Sequence, residues 1–318
     1  MAVGQRGHVG FQFQNSYGTV SSANVYTPFV SESMQEKIPR IVAEGMRSRY
    51  ESGPRFAGFK EFGGDLVTEI HPILIGYLLK GWCGIASGAL TTSHYTHTFN
   101  PRTTDWDTKA ALPPLTMEVY RDNGSGMLYY DQCINGFTLD YAHGKLLKAT
   151  WSMIGGNAQK AVKTTASYYP GSEFTWNQVS VSLGGNAVSG ISQLTIKGDN
   201  ALEAKGTLDG SLVPARILRN GVRKLEISGT MILEADTQLD AYRAGTAQRL
   251  VATVTGQAVN SGVNAVFTVD IPSMIYTEYP DNIGGPGLVE VSWKAEADYN
   301  EGSGTMVTFT LVNTKTSY

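Results

Sequence analysis

The sequence predicts an all-β protein with one or two short helices, arranged as two tandem modules, and three observations lead there. Glycine is abundant, with 36 of 318 residues, while charged residues make up only 17%. Ser, Thr, Asn and Gly crowd the gaps between short Val, Ile, Thr and Tyr runs, the grammar of strands separated by turns. One order of elements also recurs on either side of about residue 160: Lys145-Leu-Leu-Lys-Ala-Thr-Trp151 returns as Gly287-Leu-Val-Glu-Val-Ser-Trp293. Upstream of each lies a strand-like run, Leu115 to Tyr120 and Leu250 to Thr255, and further upstream a short helix.

Residues 1–30 read as an assembly arm. They are polar and glycine-rich, with isolated aromatics, and Phe11, Phe13, Tyr26 and Phe29 are spaced as anchors that could fill pockets on a neighbour. The other reading is a terminus packed on its own domain. The first module spans 31–160. It begins with Ile38 to Ala43 and continues into a basic, aromatic stretch that could be a long hairpin or a projecting loop. Arginine and aromatic side chains are enriched at contact centres, so Arg47, Arg49, Arg55 and Phe56 are candidate interface residues.

The helix of this module is predicted over Ile73 to Trp82, closed by Gly81 or Gly84. A long connection follows, Phe99 to Pro114, in which Trp106 packs locally and Pro113 and Pro114 fix the approach to the strand from Leu115. Turn formers between Gly155 and Ser172 mark the break. The second module, 161–318, reads as successive strands: Trp176 to Leu183, Ile191 to Gly198, Val222 to Leu233, Leu250 to Thr255, Val263 to Asp270, Ser273 to Tyr279, Leu288 to Ala295 and Met306 to Val312. Its helix spans Asp236 to Ala244, with Asp236 as N-cap and Gly245 closing it.

The net charge of -3 gives no broad basic footprint, which argues against tight DNA or RNA binding. Acidic residues outnumber basic ones only after residue 160. Two cysteines, Cys83 and Cys133, make no disulfide framework and read as reduced and buried. The N-terminus lacks the apolar run of a secretory signal, so use without export is expected. The longest apolar stretch, from Ile73 to Ile85, is interrupted by Lys80 and shorter than the roughly 20 residues that cross a bilayer, so no membrane insertion is expected.

Catalytic grammar is missing: there is no phosphate-cradling glycine loop, no nucleophile elbow and no His-Glu-x-x-His. His94 and His97 lie three apart in an extended segment and point to opposite faces, which does not make a metal site. Asp105 with Asp107, and Glu234 with Asp236, are explained by loop charge and helix capping before acid–base chemistry. The expectation is a protein that is no enzyme, with no catalytic, metal or cofactor-binding residue and no cofactor.

In this order, the segments Tyr26-Thr-Pro-Phe-Val-Ser-Glu-Ser33, Gly64 to Gly84, Tyr95-Thr-His-Thr-Phe99, Leu115 to Tyr120, Tyr130-Asp-Gln-Cys133, the strand ending in Trp151, and Met306 to Asn313 resemble the tail tube proteins, or major tail proteins, of long-tailed bacteriophages. The resemblance covers nearly the whole chain. It implies tail-tube-like β-sandwich or barrel modules that close into a ring with neighbouring subunits, and rings that stack head to tail into a hollow virion tube for DNA ejection.

It further implies assembly in the host cytoplasm, tape-measure, tail-tip and tail-completion proteins as partners, and DNA that passes through the lumen without tight binding. A duplicated chain would complete a pseudo-sixfold ring with three copies; a ring of six chains is the runner-up. Glu290 and Glu296 are possible lumen carboxylates, and the arginine-rich loop is a contact between subunits or rings. The alternative is a tandem β-sandwich that binds carbohydrate through Trp106, Tyr129, Tyr168 and Tyr169.

Overall fold

The computed structural model describes residues 3–48, 50–91, 93–260, 262–282 and 286–318. Among them, the first half carries β1 (His8–Phe13), β2 (Val25–Thr27), β3 (Ser31–Glu32), β4 (Gln35–Lys37), β5 (Arg40–Val42), β6 (Arg55–Ala57), β7 (Glu61–Glu69), α1 (Leu74–Cys83), β8 (Ser87–Thr91), β9 (His94–Phe99), β10 (Leu115–Tyr120), β11 (Gly126–Ala142), β12 (Lys148–Gly155) and β13 (Asn157–Ala161). The second half carries β14 (Val179–Leu183), β15 (Asn186–Val188), β16 (Ile191–Asp199), β17 (Leu202–Lys205), β18 (Arg216–Arg219), β19 (Lys224–Ile232), α2 (Thr237–Ala244), β20 (Gln248–Asn260), β21 (Val263–Glu278), β22 (Glu290–Ala297) and β23 (Thr308–Asn313). The all-β expectation with two short helices holds, and the described strands form open antiparallel sheets rather than a closed barrel.

The pairing order of the first half recurs in the second. Hairpin β1–β2 corresponds to β14–β15, and β1–β10 to β14–β20. The ladder β10–β11–β12–β7 corresponds to β20–β21–β22–β19, and β13 on β11 to β23 on β21. Strands β3 and β4 pair with β7 as β16 pairs with β19, and hairpin β5–β6 takes the place of β17–β18.

Two of the irregularities match as well. β11 skips Asn135 opposite Met153 and Ser152, with Trp151 next; β21 skips Thr277 opposite Ala295 and Lys294, with Trp293 next. β10 slips between Leu115 and Met117, opposite Gln132 and Tyr129, as β20 slips between Gln248 and Leu250, opposite Met274 and Ile271. Bulges re-aim a strand at one place, so sharing both is stronger than sharing strand grammar.

The halves differ in their connections. β1 reaches β2 through a loop from Gln14 to Asn24, whereas Gly184 and Gly185, both with positive φ (58° and 85°), turn β14 directly into β15. A two-residue turn with positive φ at both positions fits the twist of a hairpin and favours glycine.

The long strands β11 and β21 organise two layers. Their C-terminal parts belong to a platform ordered β3/β4–β7–β12–β11–β16–β19–β22–β21. Their N-terminal parts belong to the other layer, with β1, β2, β10 and β13 in one group and β14, β15, β20, β23, β9 and β8 in the other. One hydrophobic core, drawing on both halves, lies between them.

Helix α1 is apolar nearly all round and is buried in that core, as expected of a helix without a polar face. Its Trp82 ring stands edge-on to Phe137 of β11 at 4.7 Å and to Phe309 of β23 at 6.1 Å. Helix α2 buries only Leu239 and Ala241. Asp236 holds its N-cap position without a side-chain capping bond, and Gly84 and Gly245 end the two helices in the left-handed conformation.

Candidate assembly surfaces

The platform has one buried and one uncovered face, because its strands alternate apolar and polar residues; the burial of β12 and β22 alternates without interruption. Cross-strand registers line the uncovered side chains into rows. One row runs Glu296, Glu226, Lys197, Thr138, Thr150, Val67; the next runs Lys294, Ser228, Thr195, Asp140, Lys148, Glu69. Lys197 Nζ lies 3.3 Å from Glu226, Lys294 Nζ lies 2.9 Å from Glu278, and Thr195 donates to Asp140 at 3.0 Å. On the covered side the row below holds Ala295, Ile227, Ile196, Leu139 and Ala149, all buried.

The joint between the halves is inside the platform, where β16 pairs with β11 from Gly136 opposite Asp199 to Ala142 opposite Gln193. Gly198 makes room there: a Cβ on it would lie 2.4 Å from Phe137 and 2.7 Å from Trp82. Asn200, fully buried, locks the end of the joint. Its Nδ2 donates to the Trp82 carbonyl at 3.1 Å and the Ile134 carbonyl at 3.4 Å, and its Oδ1 accepts from Arg223 Nε at 2.7 Å and Arg219 Nη1 at 3.2 Å. Burial and the neighbouring Arg219 push the Arg223 guanidinium down to about 10. Hairpin β17–β18 then lies on the first half, with Ile217 buried among Ala110, Ala111, Leu112 and Cys133.

The platform's two ends are open. Among the described residues β3 and β4 pair with β7 alone, and residues 279–282, which follow β21, pair with no strand. The hairpin β5–β6 beside the first edge exposes Ile41, Val42, Met46, Tyr50 and Phe56. Five large apolar side chains exposed on one hairpin and its loop make it a candidate interaction surface.

The residues singled out from sequence fall in three places. Phe11 and Tyr26 are buried in β1 and β2, paired into the chain's own sheet, and Phe13 and Phe29 pack half-buried on the same core. The segment expected to be a free arm is thus tied down over His8–Phe13 and Val25–Thr27. Arg47, Arg55 and Phe56 are exposed on hairpin β5–β6 and its loop; Arg49 lies outside the described residues. Glu290 and Glu296 are exposed on β22, on the uncovered platform face.

Sequence reasoning missed Asp65, Glu69, Asp140 and Glu226 on that face, although alternation along the C-terminal parts of β7 and β11 and along β19 carries the signal. The four aromatics of the carbohydrate alternative form no exposed platform. Tyr129 is buried and donates to the Met34 carbonyl, Trp106 packs on the smaller core, and Tyr169 bonds Tyr77. Both cysteines are free and buried, and burial pushes the Cys133 thiol up to about 12. Among the described residues no three His, Cys, Asp or Glu side chains gather as a metal site, and no helix is long and apolar enough to cross a membrane.

A family model described as phage tail tube protein matches residues 4–300, nearly the whole of this β-rich fold. The chain belongs to the phage tail tube protein family. Its role is therefore structural, in the virion tail, in a family whose members polymerise into a tube. A search of curated proteins found no significant match. For a tail tube protein, the surfaces that matter are those that meet other copies, and the open platform ends and hairpin β5–β6 are the candidates.

Proposed function

We propose that this tail tube protein is a duplicated module, divided near residue 160, and that three copies close a pseudo-sixfold ring. Rings stack head to tail into the hollow conduit for DNA ejection. The observation that carries this is the recurrence of one pairing order, with both bulges, in two halves joined edge to edge in a platform. Hairpins β1–β2 and β14–β15 correspond, so the first module takes in residues that the arm reading set apart.

A platform with unpaired edges at both ends is an aggregation hazard unless those edges find partners, and a closed ring removes them. Stacking needs a different, non-closing contact between rings. The exposed hairpin β5–β6, with Arg47, Arg55 and Phe56, supplies contacts between subunits or rings. The channel is lined by the uncovered face, because the other face already carries α1 and the second layer. Its carboxylates, Glu290 and Glu296 among them, keep phosphates from binding tightly, as a conduit requires. Tape-measure, tail-tip and tail-completion proteins bind the ends and interior during assembly in the host cytoplasm.

Negative-stain imaging of the purified protein tests this. Hollow tubes whose rings contain three chains with sixfold appearance are expected. Rings of six chains would overturn the duplicated-ring reading, and compact single particles at every concentration would overturn the tube.

A further inference from the structure

We infer that the joint between two copies repeats the joint between the two halves of one copy, in a fixed register: residues 33–37 of one chain pair antiparallel with residues 278–282 of the next, Lys37 opposite Glu278. This rests on the ring reading above and specifies its contact.

The internal joint is the template. Strand β16 lies between β19 and β11, and its counterpart β3/β4 lies on β7 in the same way but, among the described residues, with no strand on its other edge. There the Met34 N–H donates to Glu32 and the Met34 carbonyl accepts from Arg121 and Tyr129, contacts that a docking strand would replace. The matched tryptophans and bulges place Glu278 where Gly136 stands in β11. Leu66 opposite Trp151 and Gly229 opposite Trp293 align β7 with β19. That alignment places Lys37, opposite Glu61, where Asp199, opposite Lys224, stands in β16. Gly136 pairs with Asp199, so Glu278 meets Lys37; Pro280 then meets Gln35, and Asn282 meets Ser33.

Charge and burial agree with this register. The leading pair has opposite signs, and opposite charges directly across an antiparallel ladder attract. Met34, already buried, stands where Ile196 stands in the internal joint. Ile38, 38% exposed, stands where the buried Asn200 locks that joint, so closure covers an apolar side chain. Pro280 stands where Thr138 stands, at a position whose N–H points away from this joint, since the template bonds through alternate residues from the Asn200 N–H to the Asn135 carbonyl, so the missing donor costs the pairing nothing.

Cysteine pairs read the register directly. A chain carrying Lys37→Cys and Glu278→Cys should, on oxidation of assembled material, give chains linked into covalent trimers that a reducing agent releases. Each single variant, and the same-face shifted pair Gln35→Cys with Glu278→Cys, should stay monomeric on the gel. A charge reversal provides the second arm: Lys37→Glu should abolish assembly and Lys37→Glu with Glu278→Lys should restore it. Wild-type rings with crosslinks only in the shifted pair, or with reversal that Glu278→Lys does not rescue, would overturn the joint and leave the tube intact. Failure of the wild type to form rings or tubes would sink the tube, and the joint with it.

Discussion

The joint inside the chain and the open ends of the platform are built from corresponding strands, yet several matching positions carry different side chains. Where the internal joint has Gly198, Leu139 and Thr138, the open ends have Glu36, Asp281 and Pro280. Asp281 lies 3.9 Å from Arg243 of α2, and Glu36 accepts from Lys60 at 2.9 Å. The internal joint is formed whenever the chain is folded, so it can be apolar and close-packed. An end that waits for another copy must stay soluble, and charges at an edge are how sheets avoid premature pairing. The difference between the two joints is thus a difference between a folding contact and an assembly contact.

The helices sharpen the same contrast. Helix α1 fills the core between the layers and α2, at the corresponding place, lies on the surface. The largest effect should come from Trp82→Ala, which removes a fully buried indole wedged between Phe137 and Phe309. A loss of about 3–5 kcal/mol is expected from such a large-to-small change in a core. Leu239→Ala on α2 should cost about 1 kcal/mol, near the centre of what single substitutions do. Denaturant midpoints of the unassembled chain separate the two, and equal losses would show that α1 is no more central than α2.

Within the joints, Asn200→Ala removes the acceptor shared by two largely buried arginines, leaving Arg219 with Asp105 and Arg223 with the Arg102 carbonyl, and should cost about 1–3 kcal/mol. Gly198→Ala drives a methyl into Phe137 and Trp82, and overpacking of this kind costs about 1–3 kcal/mol. The matching changes at the open end, Ile38→Ala and Glu36→Ala, should leave the unassembled chain within about 0.5 kcal/mol of wild type, as exposed positions do. Ile38→Ala should nonetheless raise the protein concentration needed for tubes, measured by sedimentation. If it destabilised the unassembled chain as much as Asn200→Ala, the two joints would not differ in kind.

How much of this was legible depends on where each segment gets its structure. Strand β10 has the bounds the sequence predicts, because Leu115, Met117 and Val119 alternate with Thr116, Glu118 and Tyr120 and the run is framed by Pro114 and a turn. Helix α1 was displaced by one residue. Val263 to Asp270 and Ser273 to Tyr279 were expected as two strands, but they are the single β21: Pro272 falls in the slip between Ile271 and Met274, where no β20 partner needs its N–H.

Strand β1 was hidden by its polar setting, although Val9, Phe11 and Phe13 alternate as a strand should. The edge strands β3 and β4 carried no signal at all, since Ser31 to Lys37 holds one apolar residue, Met34, and takes its strand form from β7. The platform face was invisible for a related reason: which carboxylates share a face is fixed by registers across many strands, and a one-residue slip would reassign them.

The smallest of these effects concerns pH, and it too divides the halves, because all five histidines, from His8 to His143, lie in the first. His97 in β9 is buried against the Tyr318 ring at 4.7 Å, its Nε2–H donating to the Lys315 carbonyl at 2.8 Å. Burial holds its imidazole below the ordinary value of 6.5, against the opposing pull of its hydrogen bonds. His71, whose Nδ1 accepts the Ile73 N–H, is held down by burial as well. The folded chain therefore binds fewer protons than the unfolded chain below that value. Their contribution to stability is complete above 6.5 and is lost as the pH falls beneath it. Since His97 lies on the strand that ties β23 to the first half, hydrogen exchange between pH 7.5 and 5.5 should open Ser87–Phe99 and Thr308–Asn313 before β16 and β19. Replacing His97 with Gln should remove most of that pH dependence; an acid response that begins in β16 and β19 would instead place the weak point at the internal joint and undo its description as the permanently closed one.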